Sequence, residues 1–451
     1  MSKNIARKVY NISVIGAGHV GLVTASCLAD LGHKVCCMDN DSAKIDLLQK
    51  GEIPIYEPGL KELVSTNTLQ GNLFFTNSME EAVVHGEVIF IAVGTPPKES
   101  GEADLSYVEN VAREIAQLMD SYKLIVEKST VPVETGEKVK NTINLYIEKD
   151  VPFDVASNPE FLREGSAIHD FMHPDRVVIG VDSERAERVL TEIYGPLNAP
   201  IIITDIKSAE LIKHASNSFL AMKISFINAV SRICEKVGAD VEKVAQGIGL
   251  DKRIGQEFLK AGIGFGGSCF PKDLDAFIHI AENLGYDFKL LKEVKRINEE
   301  QKRLAVQKIK DVLWIIKDKK IAIWGGAFKP ETDDIRGAPV IDIINELLNE
   351  GATVSLYDPQ AMENLKIIFG EKLHYADDKY QAIEDADCLV IVTEWDEFRN
   401  IDFDFLRQRM KLPFIVDGRN IFSLQKLQDK GFIYCGFGRP QITNSKSGVK
   451  K

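Results

Sequence analysis

The run from Gly264 to Asp273 sets a thiol, Cys269, between three glycines (Gly264, Gly266, Gly267) and a Pro271, Lys272, Asp273 segment. Glycines let the backbone approach a ligand closely and adopt positive φ, and Pro271 suits the first turn of a helix. Cys269 then falls at that helix's N-terminus, where unpaired amides and the nearby Lys272 favour the thiolate, the nucleophilic form. Asp273, four residues on, returns to the same face, where its carboxylate could relay a proton for the sulfur or for an attacking water. An arbitrary cysteine is more often an inert, buried packing residue. The glycines, the proline and the Lys-Asp pair favour the reactive reading here.

A second chemistry lies at the N-terminus. An apolar run, Val9 to Ile15, leads into Gly16, Ala17, Gly18, His19, Val20, Gly21, and a helical pattern follows to Leu31. This is the G-x-G-x-x-G fingerprint in its strand, turn and helix setting, with a helix N-terminus placed for a pyrophosphate. A second apolar stretch, Lys34 to Met38, ends at Asp39, at about the 20-residue interval where an acid bonds the adenosine ribose. A carboxylate there repels a 2′-phosphate, so NAD is expected rather than NADP.

Oxidising an alcohol to an aldehyde needs only a hydride acceptor and a base. Taking the aldehyde on to an acid needs a heteroatom on the carbon that gives up the second hydride, and a thiolate supplies one by addition. A dinucleotide site together with an activated cysteine therefore predicts a four-electron oxidation of alcohol to carboxylate.

With these segments in order, the chain resembles the UDP-glucose/GDP-mannose dehydrogenase family over nearly its whole length. The matching stretches are Gly16 to Gly21, Pro54 to Leu60, Val93 to Pro96, Lys128 to Val133, Ser157 to Gly165, Ala209 to Leu220, Gly264 to Asp273, Phe328 to Arg336 and Asp417 to Arg419. The resemblance implies UDP-glucose as substrate, with GDP-mannose or a UDP-N-acetyl amino sugar as the alternative. It implies Cys269 as nucleophile, Lys213 and Asn217 as stabilisers of the alkoxide or thiohemiacetal oxygen, and Asp273, Thr130, Glu160 and Glu164 as the remaining catalytic groups. Of these, Thr130 and Glu164 would position water and Glu160 would support the substrate side. NAD contacts are implied at Gly16, Gly18, His19, Val20, Gly21, Asp39, Lys44, Gly94, Thr95, Thr130, Glu164, Lys272 and Arg336. Substrate contacts are implied at Glu160, Phe161, Leu162, Lys213, Asn217, Arg253, Phe265, Gly266, Lys329 and Arg419, with Arg253 reaching a neighbouring subunit's site. One departure is Glu134, which follows Val-Pro-Val where the family commonly has glycine.

Residue chemistry supports part of this independently. Lys213 and Asn217 lie four apart on a helical pattern from Ser208 to Val237, so both project from one face. A cation beside an amide donor can act as an oxyanion hole, although such a pair is more often a solvated lysine with an ordinary asparagine. The pattern also carries Leu211, Ile212, Ala215, Phe219, Leu220, Ile224, Phe226, Ile227 and Val230, more apolar positions than one stripe requires. One face is expected against the chain's own domains and another against a partner helix in a two-fold homodimer.

The elements that must hold these groups read as α/β. Apolar strands at 88–93, 124–126, 155–156 and 177–181 alternate with helical patterns up to Ile203, as in a doubly wound parallel sheet. Strand signals vanish from Ile206 to about Leu313. A second Rossmann-like unit then begins, with strands at 320–324, 353–357, 388–392 and 414–416. The expected division is an NAD-binding domain over 1–206, a central helical dimerisation domain over 207–313, a UDP-sugar-binding domain over 314–442 and a disordered tail over 443–451. A net charge of -12 argues against nucleic acid as a partner. Seven cysteines without C-x-x-C or Cys/His metal spacing suggest reduced thiols in the cytoplasm and no metal. No apolar run is long enough to suggest a signal peptide or a membrane span. A two-electron hydroxyacid dehydrogenase would leave the Cys269 loop without a purpose, and a non-catalytic nucleotide-sugar sensor would not need the Cys269, Lys213, Asn217 and Asp273 set.

Overall fold

A computed structural model describes residues 8–98 and 101–443. The chain divides into two compact units: one runs through Ser216 and includes Asp275–Gly285, and the other holds Asn217–Leu274 and everything described from Tyr286 on.

The first unit is built on an eight-stranded sheet of β1 (Asn11–Ile15), β2 (Lys34–Met38), β3 (Leu73–Thr76), β4 (Val88–Ile91), β5 (Lys123–Glu127), β6 (Phe153–Ser157), β7 (Val177–Val181) and β8 (Ile201–Thr204), in the order β3-β2-β1-β4-β5-β6-β7-β8. Successive side chains point to opposite faces. Ile12, Val14, Val35, Cys37, Phe90 and Val126 therefore pack on one side, and Ile15, Cys36, Met38, Ile89, Ile91 and Ile125 on the other. β4 and β5 are buried along their whole length, as central parallel strands covered on both faces must be.

The sheet departs from the fully parallel expectation at one place. β6 and β7 pair antiparallel, and β8 follows β7 in parallel. Between β6 and β7 lie the loop that carries Glu160 to Glu164 and the six-residue helix Ala167–Met172.

The second unit contains the helices Val241–Gly249 and Lys289–Leu313 and a six-stranded, all-parallel sheet of β9 (Lys320–Trp324), β10 (Thr353–Tyr357), β11 (His374–Tyr375), β12 (Cys388–Ile391), β13 (Phe414–Asp417) and β14 (Ile433–Cys435), ordered β11-β10-β9-β12-β13-β14. No strand falls between 206 and 313, as the sequence implies. The helices Ile206–Val237 and Phe270–Asn283 each begin in one unit and end in the other.

The long helix Ile206–Val237 buries polar side chains among its apolar ones. Lys213, His214, Asn217, Ser218, Ser225, Asn228 and Ser231 are buried along with Ala209, Ala221, Ile227 and Cys234, while Leu211, Phe219, Phe226, Ile233 and Val237 are exposed. No helix among the described residues is long and apolar enough to cross a membrane. Apart from Thr443, the expected disordered tail lies outside the described residues.

Candidate active site

In the first unit the fingerprint forms a bare anion seat. Gly16 has φ +106°, and a Cβ there would stand 2.6 Å from the Ala92 carbonyl oxygen; at Gly21 it would stand 1.8 Å from that of Gly16. A Cβ on Gly18 would meet nothing within 4 Å. Gly18 caps the helix His19–Asp30 without a side-chain bond, and the first turn carries no acid. Its amide groups and positive dipole end are thus available to a pyrophosphate, which fits a dinucleotide.

Asp39 directly follows β2. One carboxylate oxygen accepts from the Ala17 amide (2.7 Å) and the Lys44 ammonium (2.9 Å), and the other from the Asp41 amide (3.0 Å). Burial pushes this carboxyl up, but the Lys44 bond and the two amides outweigh it and hold the group below the usual carboxylate range. Gly94 stands in open space beyond β4, and Thr95 donates its hydroxyl to the Thr130 carbonyl (2.9 Å). Val20 is half-buried.

The loop after β6 gathers Glu160, Phe161, Leu162 and Glu164. Lys213 ion-pairs with Glu160 at 3.0 Å, both buried, and the other Glu160 oxygen accepts from the Leu162 amide at 2.5 Å. The Phe161 ring lies 3.6 Å from the Arg176 guanidinium and 5.3 Å from the Lys213 ammonium. Glu164 is half-buried.

Thr130 sits on a loop that is fixed at both ends. His214 bonds the Val131 carbonyl through Nε2 (2.8 Å), and Glu210 accepts from the Glu134 and Gly136 amides (2.7 Å each). Glu134 has φ +75°, the left-handed region that favours glycine, and its exposed side chain pairs with Lys207 at 3.5 Å. Lys128 is buried and donates to Asn158 (2.9 Å), and burial pushes its ammonium down to about 8.

In the second unit the thiol loop is clamped from several sides. A Cβ on Gly264 would meet Asn298 at 2.6 Å, on Gly266 the Gly337 carbonyl at 2.2 Å, and on Gly267 the Phe328 ring at 2.8 Å, so only glycine fits at each. Asn298 brackets the buried Phe265, accepting from its amide (2.8 Å) and donating to its carbonyl (3.0 Å). Arg419 reaches the Gly264, Val392 and Phe328 carbonyls and pairs with Glu394.

Cys269 directly precedes the helix Phe270–Asn283 and is exposed; the other six cysteines are buried. Asp273 lies one turn on, its amide bonded to the Cys269 carbonyl (2.8 Å). Its carboxylate accepts from Asn217 (2.6 Å) and pairs with Lys272 (3.3 Å). The amide of Asn217 is thus engaged by Asp273, whereas Lys213 is engaged by Glu160.

Lys329 is half-buried beside Phe328, and Arg336 is exposed and held by Asp334. Arg253 is exposed and chelated by Asp251, with no bond to the other residues expected at the substrate. Sequence reasoning left Glu57, Lys128, Asn158, Glu210 and His214 without roles. All five lie inside the stretches that carry the family resemblance, and that membership is their only signal in the sequence.

Comparison with known proteins gives one consistent result. Family models described as the NAD binding, central and UDP binding domains of the UDP-glucose/GDP-mannose dehydrogenase family match residues 10–198, 207–300 and 322–424. The chain is 49% identical over 439 residues to the UDP-glucose 6-dehydrogenase TuaD of Bacillus subtilis, covering 97% of this chain and 95% of that protein. A UDP-glucose dehydrogenase from Pyrobaculum islandicum superposes with a TM-score of 0.90 at 40% identity, covering 96% of this chain and 99% of that one. A UDP-D-ManNAc dehydrogenase from Pyrococcus horikoshii superposes with a TM-score of 0.85 at 28% identity, covering 96% and 100%.

Proposed function

The chain belongs to the UDP-glucose/GDP-mannose dehydrogenase family, an NAD-dependent group of oxidoreductases, and on that footing we propose that it oxidises UDP-glucose to UDP-glucuronate through a covalent bond to Cys269. The observation that carries this reading is the setting of Cys269, the exposed thiol, at a helix N-terminus with Asp273 one turn on. UDP-glucose is favoured over other nucleotide sugars by the higher identity to proteins that bear that name.

NAD, when bound at Gly16 to Gly21 and Asp39, supplies the hydride acceptor. The sugar C6 alcohol first loses a hydride and a proton to become an aldehyde. The Cys269 thiolate adds to the aldehyde carbon, and the alkoxide takes up a proton to give a thiohemiacetal. Loss of a second hydride and proton leaves a thioester. Water then attacks the acyl carbon, the C–S bond breaks, and the acid and free thiolate are released. Asp273 serves as proton acceptor for that water, and Asn217 orients it. Lys213, paired with Glu160, stabilises charge on the substrate oxygen, and Thr130 and Glu164 position the water.

The exposed apolar residues of the long helix, Phe219, Phe226 and Ile233, lie seven apart on one stripe, which supports a homodimer formed through that helix. The division into an NAD-binding domain (1–206), a central dimerisation domain (207–313) and a UDP-sugar domain (314–442) is supported by the three family matches.

The deciding assay counts NADH formed per nucleotide sugar consumed across UDP-glucose, GDP-mannose and UDP-N-acetyl amino sugars. Two NADH per UDP-glucose, with the highest kcat/KM for that sugar, is the expected result. A ratio of one overturns the four-electron mechanism.

A further inference from the structure

Glu57 lies in the Pro54 to Leu60 segment, far in sequence from both loops it touches, and is 6% exposed. One of its oxygens accepts from the Gly165 amide (2.7 Å) and faces His19 Nε2 at 2.9 Å; the other accepts from the Ala167 amide (2.8 Å). The contact with His19 is close enough for an ion pair but is not aligned as a hydrogen bond. A buried carboxylate needs partners, and the two amides alone would satisfy a purely structural one. The third partner is the first residue of the fingerprint helix, at the rim of the anion seat. Gly165, for its part, directly follows Glu164.

We propose that Glu57 is a positioning residue that joins the pyrophosphate end of the fingerprint helix to the loop carrying Glu164, so that the NAD seat and that carboxylate are set by one buried group. This rests on the NAD reading of the first unit. With the link intact, both loops hold their binding geometry before the dinucleotide arrives, and less ordering accompanies binding. With it broken, the helix entry and the Glu164 loop must be ordered separately, at a cost that appears in NAD affinity.

The test is calorimetric titration of the full-length protein with NAD in the absence of any sugar substrate. Glu57→Gln sets an amide NH2 against one of the two backbone donors that the carboxylate accepts. It is expected to weaken NAD roughly tenfold, with the KM for UDP-glucose within about twofold of the parent's. If Glu57→Gln does not fold, Glu57→Asp, which keeps the charge on a shorter arm, is read the same way. His19→Ala and the double variant complete a cycle. The double variant is expected to bind NAD no more weakly than the weaker single one, because both break one link. Parental NAD affinity in a cooperatively melting Glu57 variant overturns the proposal, as do strictly additive effects in the cycle. A parent protein that does not bind NAD would instead overturn the cofactor reading itself.

Discussion

The two sheets repeat one plan and finish it differently. β1 and β2 correspond in sheet order to β9 and β10. In each sheet the first glycine after the central strand has positive φ, +106° at Gly16 and +100° at Gly325, and donates its amide to the last carbonyl of the neighbouring strand, Met38 (2.7 Å) or Tyr357 (2.9 Å). In each an aspartate then follows that neighbour, Asp39 or Asp358. Beyond this point they diverge. After Gly16 a helix begins at His19, whereas after Gly325 the chain runs as a loop to the helix Pro339–Asn349. Asp358 is buried and accepts from the amides of Gly326, Ala327, Gln360 and Ala361 and from the Trp395 indole. A side chain on Gly326 would strike Leu365 at 2.3 Å, while Gly18 stands open. The acid that is available to a ribose in the first sheet is a structural plug in the second. The second sheet thus has a loop where the first has a bare helix end.

The cysteines repeat the contrast between open and closed, and they give the largest expected effect. Burial pushes the Cys36 thiol up to about 12 and raises those of Cys27, Cys37, Cys234, Cys388 and Cys435, so those six resist ionisation, and Cys269 alone is exposed. Cys269→Ser should lower turnover to the acid by about 10³-fold or more with NAD affinity intact, because a hydroxyl is a far poorer nucleophile near neutral pH. Cys388→Ser should keep near-parental turnover and lose about 1–3 kcal/mol of stability from a buried hydroxyl. Mass-spectrometric mapping after brief alkylation should find Cys269 modified first and protected by UDP-glucose. Near-parental activity in Cys269→Ser would return that residue to the status of a loop thiol.

The paired aspartates come next. Asp39→Ala removes a carboxylate that can accept from a ribose and repel a 2′-phosphate, and a charge-assisted bond of about 1.5–3 kcal/mol corresponds to roughly 10–100-fold. The NAD to NADP ratio of kcat/KM should shift by that factor while the melting temperature moves little. Asp358→Ala should do the reverse. Its lost acceptor strands buried donors at about 1–3 kcal/mol each, so the protein melts well below the parent, and the cofactor ratio measured at low temperature is unchanged. Equal shifts in cofactor preference would erase the distinction between the two sheets.

The parts of this picture that were legible in the sequence are those whose signals are local. Central parallel strands such as Cys388–Ile391 read as unbroken apolar runs, and the Gly16 and Gly264 segments carry their glycines in a row. β3, β11 and β14 were not anticipated; they are short strands at the edges of the two sheets. The reversal at β7 carries no local signal, since Val177–Val181 reads as the same apolar run in either direction. Glu57, Lys128 and Glu210 look like ordinary surface charges in sequence, since the partners that bury them come from distant segments. Glu57 meets Gly165 across 108 residues and Glu210 meets Gly136 across 74.

The smallest effect concerns the acids that close the fifth strand of each sheet, Glu127 on β5 and Asp417 on β13. Each accepts from the amide two residues on, Ser129 (3.0 Å) or Arg419 (3.1 Å). Asp417 also accepts from the Phe422 amide and the Tyr434 hydroxyl, whereas the second oxygen of Glu127 is buried with no hydrogen-bond partner. Burial pushes Glu127 up to about 8 from its ordinary 4.5; the Ser129 bonds oppose this, and neighbouring Glu210 adds to it. Between pH 4.5 and 8 the folded chain therefore keeps a proton that the unfolded chain has released. Its contribution to stability is full below pH 4.5 and is lost as pH rises towards 8, with a slope of up to about 1.4 kcal/mol per pH unit. Calorimetric melting at pH 5.5 and pH 8 should show the parent losing stability over that interval. Glu127→Gln, which carries no charge at either pH, should flatten the difference. Asp417 is also raised by burial, but its amides, Tyr434 and nearby Arg439 pull it back, so Asp417→Asn should leave the pH dependence closer to the parent's. If Asp417→Asn flattens the curve and Glu127→Gln does not, the better-bonded acid is the one that stores the proton, and hydrogen bonding does not decide which of these two strand ends titrates.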